Sequence, residues 1–462
     1  MGSVSLSFLF LFLPAVFAVF WLLKPRYANL WLLIAGLACY SVAAPGALLV
    51  LLTVILISYL AGAANGKIRS MNGKRILSGI CIALLTGLLI LFRIQQMSGT
   101  VFSGIPGLEL LVPLGVFFYT LQAVMYIADT CKGEPCLFNP IDLALYISFF
   151  PRLASGPLEP YRQFRERLGT EFRTQGAETL ADGVWRIAAG LCKKVLIADQ
   201  LSGLVGTVFG TGGPGSLSVM QTWLGVIAYA LQLYIDFSAC TDIAIGAGKL
   251  FGYELPENFR YPYAAGSLKE FWRRWHISLS RFFRDYVYIP LGGNRKGKAR
   301  WILSLMTVWM LTGLWHGFTL NYVIWGLGHG VLLAAETLLR KKEWQRKGKI
   351  FGHLYTLFFV ILLWIVFRAQ DLSAAKAILL RLLGAGKVPF ADAGFLFQLK
   401  NALVPLVLGI LLCIPPEFTP IGRWKGKNWY KAAATAVLTV GTIASIACMY
   451  LNSYQPFLYA MF

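Results

Sequence analysis

Charged side chains are scarce in this sequence. Of its 462 residues only 14% are charged while 57% are hydrophobic, and the mean hydropathy is +0.64. Soluble globular domains usually carry about 25% charged residues. A soluble chain of this length would also tend to divide into several domains, each with a polar surface. Because the shortage extends along most of the sequence, lipid is expected to cover much of the protein surface.

Acidic residues are the scarcest charged type. The chain has 21 Asp and Glu against 42 Lys and Arg, which gives a formal net charge of +21. A basic balance alone fits a nucleic acid, an anionic membrane surface or an anionic substrate. Here the basic residues lie in short segments between apolar runs, which is the pattern that orients membrane proteins. Membrane lipids are therefore a predicted partner, and nucleic acid is not.

Several catalytic signatures are absent from the sequence. It contains no P-loop, no G-x-G-x-x-G after a strand, no H-E-x-x-H and no G-x-S-x-G. Their absence argues against a nucleotide-driven pump, a zinc metalloprotease and a serine hydrolase of these patterns. Only Cys131 and Cys136 form a close cysteine pair, and no second pair or nearby histidine completes a zinc site. No metal is predicted.

Apolar runs dominate the sequence. A spanning helix needs about 20 residues, with about 17 tolerated, so the shorter runs predict tilted or broken helices buried by their neighbours. The expected fold is an all-α polytopic membrane protein with about 10–12 transmembrane helices and additional re-entrant or interfacial helices. One membrane domain is expected over residues 1–462. The runs lie at 6–23, 29–43, 47–64, 76–92, 109–129, 183–206, 218–240, 301–315, 322–339, 351–367, 402–414 and 432–450.

The orientation follows from the basic clusters. Lys and Arg follow the first and third apolar runs, outnumber the acidic residues in the segment 249–300 and precede the last run. The positive-inside rule places these clusters in the cytoplasm, so both termini are predicted outside. The segment 368–400 is then also outside, although it carries five basic residues and fits this topology least well.

Histidine is rare, and one histidine lies deep in an apolar run. His316 follows fifteen residues after Trp301, and a helix of that length advances about 22 Å into a hydrocarbon core of about 30 Å. An ionisable group at that depth is a functional hypothesis, with a neutral histidine bonded between helices as the alternative. The four histidines are His276, His316, His329 and His353.

The other three histidines have weaker cases. His276 lies in the segment 271–286, which predicts an interfacial helix because helical spacing places four arginines on one arc. These are Arg273, Arg274, Arg281 and Arg284. A catalytic or substrate role for His276 is the alternative. His329 is expected to bond between helices, and His353 is given no role. Asp236 is expected to pair structurally, for instance with an arginine of 273–284, or to orient a histidine.

Two segments contain prolines or glycines that predict an irregular backbone. Residues 151–160 are dense in proline and glycine, which predicts a helix broken at membrane depth against protein or a cavity. The Gly-Gly-Asn of residues 292–294 favours a turn with positive φ. The basic residues that follow form a charge run, which is expected either to be solvated or to meet an anionic donor.

Together these segments resemble the membrane-bound O-acyltransferase family, and more closely its bacterial alginate O-acetyltransferase-like branch. The resemblance extends from Phe8 to Phe462, with a signature core at about 110–340. The run of residues 270–280, Glu-Phe-Trp-Arg-Arg-Trp-His-Ile-Ser-Leu-Ser, is its most specific part. The other signature segments are 150–164, 232–246, the whole of 270–294, and 313–333.

The resemblance implies helices around a central funnel in a bacterial inner membrane. It implies that His316 is the catalytic histidine and His276 a second signature histidine. An acyl group, which is acetyl in the branch resembled, would move from acetyl-CoA or another cytoplasmic thioester to a polysaccharide hydroxyl, with a separate extracytoplasmic acyltransferase as partner. No bound cofactor is implied. The candidates for substrate binding are Trp272, Arg273, Trp275, Asp236, Trp315 and Asn321.

Two alternatives stay open. One is D-alanyl transfer to teichoic acid from a carrier-protein thioester. The other is a transporter of a lipid-linked sugar, which would use the same polar groups without a covalent step. The sequence has no internal inverted repeat of the kind that many transporters show.

Overall fold

The computed structural model describes residues 5–44, 46–99, 113–168, 176–211, 213–339, 349–424 and 426–451. All regular secondary structure in these ranges is helical, which confirms the predicted all-α class. The α-helices are α1 Leu13–Leu22, α2 Ala28–Ala43, α3 Leu48–Lys67, α4 Met71–Ser98, α5 Val116–Cys131, α6 Pro140–Ser148, α7 Phe150–Leu153, α8 Tyr161–Glu166, α9 Ala177–Cys192, α10 Asp199–Phe209, α11 Val219–Leu250, α12 Leu268–Arg274, α13 Ile277–Phe283, α14 Lys298–His316, α15 Leu320–Leu339, α16 Lys349–Arg368, α17 Leu372–Leu382, α18 Ala393–Leu412, α19 Pro420–Trp424 and α20 Asn428–Leu451.

Seven helices of the described ranges are long and apolar enough to cross a membrane. Two shorter apolar helices, Phe8–Leu22 and Val116–Cys131, accompany them. The remaining apolar runs also form helices, in α2, in α9 with α10, and in α14. The protein is therefore a multi-pass membrane protein, and a count above seven stays a prediction, as does the central funnel. The seven helices are α3, α4, α11, α15, α16, α18 and α20.

The spanning helices differ in what surrounds them. The most apolar stretch of α11 is 94% buried within the protein, whereas that of α20 is 6% buried. Protein therefore encloses the apolar stretch of α11, whereas α20 presents an apolar surface that suits contact with lipid.

The ends of the helices follow local sequence signals. The Ser70 side chain accepts a hydrogen bond from the Gly73 N–H at the start of α4. After the last helical residue, Ser98, Gly99 ends α4 with a φ of 67°. Asp371 and Asp392 cap α17 and α18 in the same way. These caps satisfy amide groups that a helix leaves unpaired at its ends.

The chain divides into two compact units. The first comprises Met1–Ala189, Cys240–Glu257 and Tyr459–Met461, and the second comprises Gly190–Ala239, Asn258–Leu458 and Phe462. The single domain expected over residues 1–462 stays a prediction.

In the first unit, the proline-rich segment 151–160 contains a buried carboxylate, that of Glu159. Glu159 is fully buried and forms ion pairs with Arg152 and with Arg167, the latter at 3.1 Å. The Gln122 side chain donates to the Glu159 carbonyl oxygen at 2.6 Å. The irregular backbone therefore packs against protein, as predicted for a helix broken at this point.

In the second unit, α14 and α15 approach each other through glycines. A Cβ atom added to Gly326 would overlap the carbonyl oxygen of Trp309 and lie 3.2 Å from the Gly313 Cα. Small residues at such a contact let the two backbones come together, as is common between membrane helices. This packing positions His316, the last residue of α14.

Candidate active site

The segment around His276 forms two helices, so the prediction of one helix through this segment is wrong, while its position at the membrane interface stays a prediction. Helix α12 ends at Arg274 and α13 begins at Ile277, and His276 between them is left-handed with φ of 43°. The four arginines therefore do not share one arc of one helix. Arg274 instead pairs with Glu270 at 2.6 Å, and Arg284 pairs with Asp285 at 2.6 Å.

The break has a physical cause in Asn258. In a continuous helix, the amides of Ile277 and Ser278 would donate to the carbonyls four residues earlier. Here the Ile277 N–H donates to the Asn258 carbonyl at 3.0 Å, and the Ser278 N–H donates to Asn258 Oδ1 at 3.1 Å. These bonds support a left-handed residue that otherwise costs about 1–3 kcal/mol.

The His276 imidazole is enclosed. The residue is 2% exposed, and its Nδ1 lies 3.2 Å from Asn258 Oδ1. Phe237 lies edge-on to the imidazole with ring centroids 4.8 Å apart. Burial lowers the pKa of His276 to about 3 because the charged imidazolium loses its hydration. His276 is therefore neutral at physiological pH.

The His316 imidazole lies at the end of α14, inside an aromatic cage. It is 4% exposed. The rings of Trp325 and Phe367 lie edge-on to the imidazole, with centroids 5.1 Å and 5.0 Å away. Tyr322 stacks on it at 6.2 Å. The deep position predicted for His316 thus coincides with a protein interior rather than with a lipid-facing surface.

Trp315 joins the two histidines. Its ring centroid lies 4.8 Å from that of His316 and 6.1 Å from that of His276. The indole of Trp315 therefore contacts both of the histidines that the resemblance singles out. Trp315 itself is only partly buried.

His329 has the interhelical role predicted for it. The Trp272 Nε1–H donates to His329 Nδ1 at 3.3 Å, which ties α12 to α15. His329 is fully buried, and its ring also packs near Trp309 and Trp325. Trp272 is thus engaged with a structural histidine, and its predicted contact with substrate stays a prediction.

The remaining candidates are in different surroundings. Trp275 is 1% exposed and stacks on Phe271 at 5.6 Å, so it belongs to the aromatic core. The Asn321 side chain donates to the Ala369 carbonyl at 2.9 Å and joins the start of α15 to the end of α16. Arg273 is exposed on α12. Their role in binding substrate stays a prediction.

Asp236 pairs structurally, but with a partner the sequence reasoning missed. Its carboxylate lies 2.8 Å from Lys194 Nζ, and the same ammonium lies 2.7 Å from Asp199. The carboxylate is thus paired structurally, with a buried lysine, and its pairing with an arginine of 273–284 stays a prediction. Lys194 is 2% exposed. It lies inside the apolar run 183–206, and an ionisable residue there is the signal that could have found the pair.

Asn258 is the second residue that sequence reasoning missed. It is fully buried, and its Oδ1 accepts from Ser278 Oγ at 2.9 Å in addition to the bonds above. It lies 18 residues before His276, outside any helical pattern that includes it.

A family model for membrane-bound O-acyltransferases matches residues 37–373. The chain is 32% identical to the probable alginate O-acetylase AlgI of Pseudomonas putida, over 98% of this chain and 99% of that protein. It is 34% identical to the peptidoglycan O-acetyltransferase of Helicobacter pylori, over 82% of this chain and 79% of that protein. It is also 32% identical to the teichoic acid D-alanyltransferase of Bacillus subtilis, over 51% of this chain and 61% of that protein.

Proposed function

Since this chain belongs to the membrane-bound O-acyltransferase family, and is therefore an O-acyltransferase, we propose that it transfers an acetyl group from a cytoplasmic thioester to a hydroxyl of a cell-surface or exported polysaccharide. The similarity to AlgI along 98% of the chain supports this choice most strongly. The peptidoglycan O-acetyltransferase of H. pylori supports the same acyl group on a different polymer. A transporter without a covalent step does not fit an O-acyltransferase.

In this proposal, neutral His316 acts as the general base. It removes the proton of the acceptor hydroxyl as the oxygen attacks the thioester carbonyl carbon, and the carbon–sulfur bond then breaks. The proton passes to the leaving thiolate, so an ester and a free thiol are formed. Burial of His316 among Trp325, Phe367 and Tyr322 supports this role, because a site without water limits hydrolysis of the thioester.

In this proposal His276, which contacts the same Trp315 ring as His316, helps to position a substrate. Its burial and its ring contact with Trp315, which also contacts His316, support a role in holding the substrate. The further substrate-binding candidates are Trp272, Arg273, Trp275, Asp236, Trp315 and Asn321.

The donor in this proposal is acetyl-CoA, which needs no bound cofactor. The protein lies in a bacterial inner membrane with both termini outside, and its basic segment 249–300 faces the cytoplasm. The exposed Arg273 there suits the phosphates of the donor. An extracytoplasmic acyltransferase would then receive the acetyl group and place it on the polysaccharide.

D-alanyl transfer is the second candidate, because a teichoic acid D-alanyltransferase is 32% identical over 51% of this chain. It would use the same histidine and a carrier-protein thioester instead of acetyl-CoA. The shorter region of similarity makes it the less favoured candidate.

The test compares donor turnover by the purified protein with that of His316→Ala. The protein in detergent is incubated with radiolabelled acetyl-CoA or with a D-alanyl carrier protein, and released thiol is measured. We expect release from acetyl-CoA by the wild type, and a loss of about 10²–10⁴-fold in the variant. His353→Ala is the matched control and should keep turnover, since His353 lies near the start of α16, where its Nδ1 is 3.3 Å from the Ala265 carbonyl oxygen. Equal turnover by His316→Ala and wild type would overturn the role of His316, and release from the D-alanyl carrier alone would favour the second candidate.

A further inference from the structure

We propose that Asn258 is a positioning residue that fixes His276 in one tautomer, with the proton on Nδ1 and the lone pair on Nε2. His276 then holds its ligand by accepting a hydrogen bond, so the ligand group is a donor such as the acceptor hydroxyl. The tautomer follows from the geometry alone. Only the identity of the ligand rests on the proposed function.

The first step identifies the atom of Asn258 that faces the histidine. Amide oxygen and nitrogen are distinguished by their hydrogen-bond partners. The Ser278 backbone N–H, which can only donate, lies 3.1 Å from this atom. The atom is therefore the oxygen, Oδ1, whichever way the amide is drawn.

The second step assigns the proton of His276. Nδ1 lies 3.2 Å from the same oxygen. An amide oxygen has no proton to give, so the hydrogen bond exists only if Nδ1 carries the proton and donates it. In a neutral imidazole, the other nitrogen then carries the lone pair. Nε2 of His276 is thus the acceptor nitrogen.

The third step is that the arrangement is rigid. Both side chains are buried, at 0% exposure for Asn258 and 2% for His276. Asn258 also binds the two amides that follow His276, through its carbonyl to Ile277 at 3.0 Å and through Oδ1 to Ser278. The backbone that carries the imidazole and the oxygen that orients it are therefore held by one residue. Such outer partners fix ring orientation at other histidine sites in the same way.

The consequence separates two roles for His276. Stabilising a negative charge on the thioester oxygen requires a donor. A neutral imidazole whose only N–H is committed to Asn258 has none left to offer. Accepting a hydrogen bond from a hydroxyl requires the lone pair that this tautomer provides. The geometry therefore favours a place for His276 at the hydroxyl substrate and not at the oxyanion.

The tautomer is tested by NMR on protein labelled with ¹⁵N at histidine. The chain has four histidines, and the spectrum of His276→Gln assigns the signals of His276. We expect the proton on Nδ1 in the wild type. Asn258→Ala should shift His276 toward the Nε2-protonated form, whereas Ser278→Ala, which leaves the Asn258 amide in place, should keep the wild-type form.

A wild-type spectrum with the proton on Nε2 would overturn the inference, and this holds even if Asn258→Ala does not fold. An unchanged tautomer in a folded Asn258→Ala would equally remove Asn258 as its cause. Asn258→Asp keeps an acceptor oxygen and should retain the Nδ1 proton.

Donor turnover provides the functional readout. We expect Asn258→Ala to lose about tenfold or more and Asn258→Asp to recover part of that loss. Equal losses in the two variants would refute the positioning role. The absence of any transferase activity in the wild type would instead refute the proposed function and leave the tautomer standing.

Discussion

Gly326→Ala should separate α14 from α15 and displace His316. An added Cβ would overlap the Trp309 carbonyl oxygen and lie 3.2 Å from the Gly313 Cα and backbone nitrogen. Backbone atoms cannot rotate away as a flexible side chain can, so the two helices must move apart. Overpacking of this kind costs about 1–3 kcal/mol. The same substitution at an open helical position is favourable by about 0.8–1 kcal/mol.

Gly87 in α4 is the matched control, since nothing lies within 4 Å of a Cβ added there. Gly87→Ala should leave the midpoint of thermal unfolding in detergent unchanged or raised. Gly326→Ala should lower the midpoint and reduce donor turnover, because the cage around His316 includes Trp325, the neighbour of Gly326.

Equal midpoints for the two alanine variants would refute the reasoning, as they would show that the contact between α14 and α15 has room for a methyl group. A lower midpoint with full turnover would refute only the link to His316.

The remaining predictions concern buried polar groups. Burial lowers the pKa of His276 from 6.5 to about 3 in the folded protein. Below pH 6.5 the unfolded chain therefore takes up a proton at His276 that the folded protein does not, and acid favours unfolding. Acidification from pH 6.5 to 5 should then cost about 2 kcal/mol, and thermal unfolding of His276→Gln should depend less on pH in that range. Lys194→Met leaves Asp236 buried without its ammonium and should cost about 3–5 kcal/mol, whereas the exposed Lys67→Met should be neutral in the same unfolding assay. Trp272→Phe removes the donor to the buried histidine of α15 and should cost about 1 kcal/mol; an unchanged midpoint would argue against that hydrogen bond.

Helix formation was the predictable part of this molecule, because it depends on local sequence. Each apolar run outside the undescribed ranges lies on helical segments, and the helix that contains the run 301–315 ends at His316. Backbone groups in lipid must pair within their own segment, so a long apolar run leaves the chain few choices. Caps such as Ser70 and Asp371 are equally local.

The break at His276 was not predictable in this way. The spacing of arginines between 271 and 286 is compatible with one helix, and no proline or glycine interrupts it. The residue that ends the helix is Asn258, whose carbonyl and side chain take the amides of Ile277 and Ser278. Periodicity describes neighbours within a few turns, so it cannot detect a competitor from another part of the chain.

Polar residues inside apolar runs carry a different kind of information. A buried charge or amide must find a partner within the protein, so Lys194 and Asp236 each require one, and their ion pair at 2.8 Å meets both needs. His329 meets the same need through Trp272, 57 residues away. The sequence thus states that each such residue is paired but not with which partner, since the choice depends on how the helices pack. His276 illustrates the same limit: the sequence marks it as a candidate site residue, but its contact with Asn258 Oδ1, on which the proposed tautomer rests, depends on how distant segments pack.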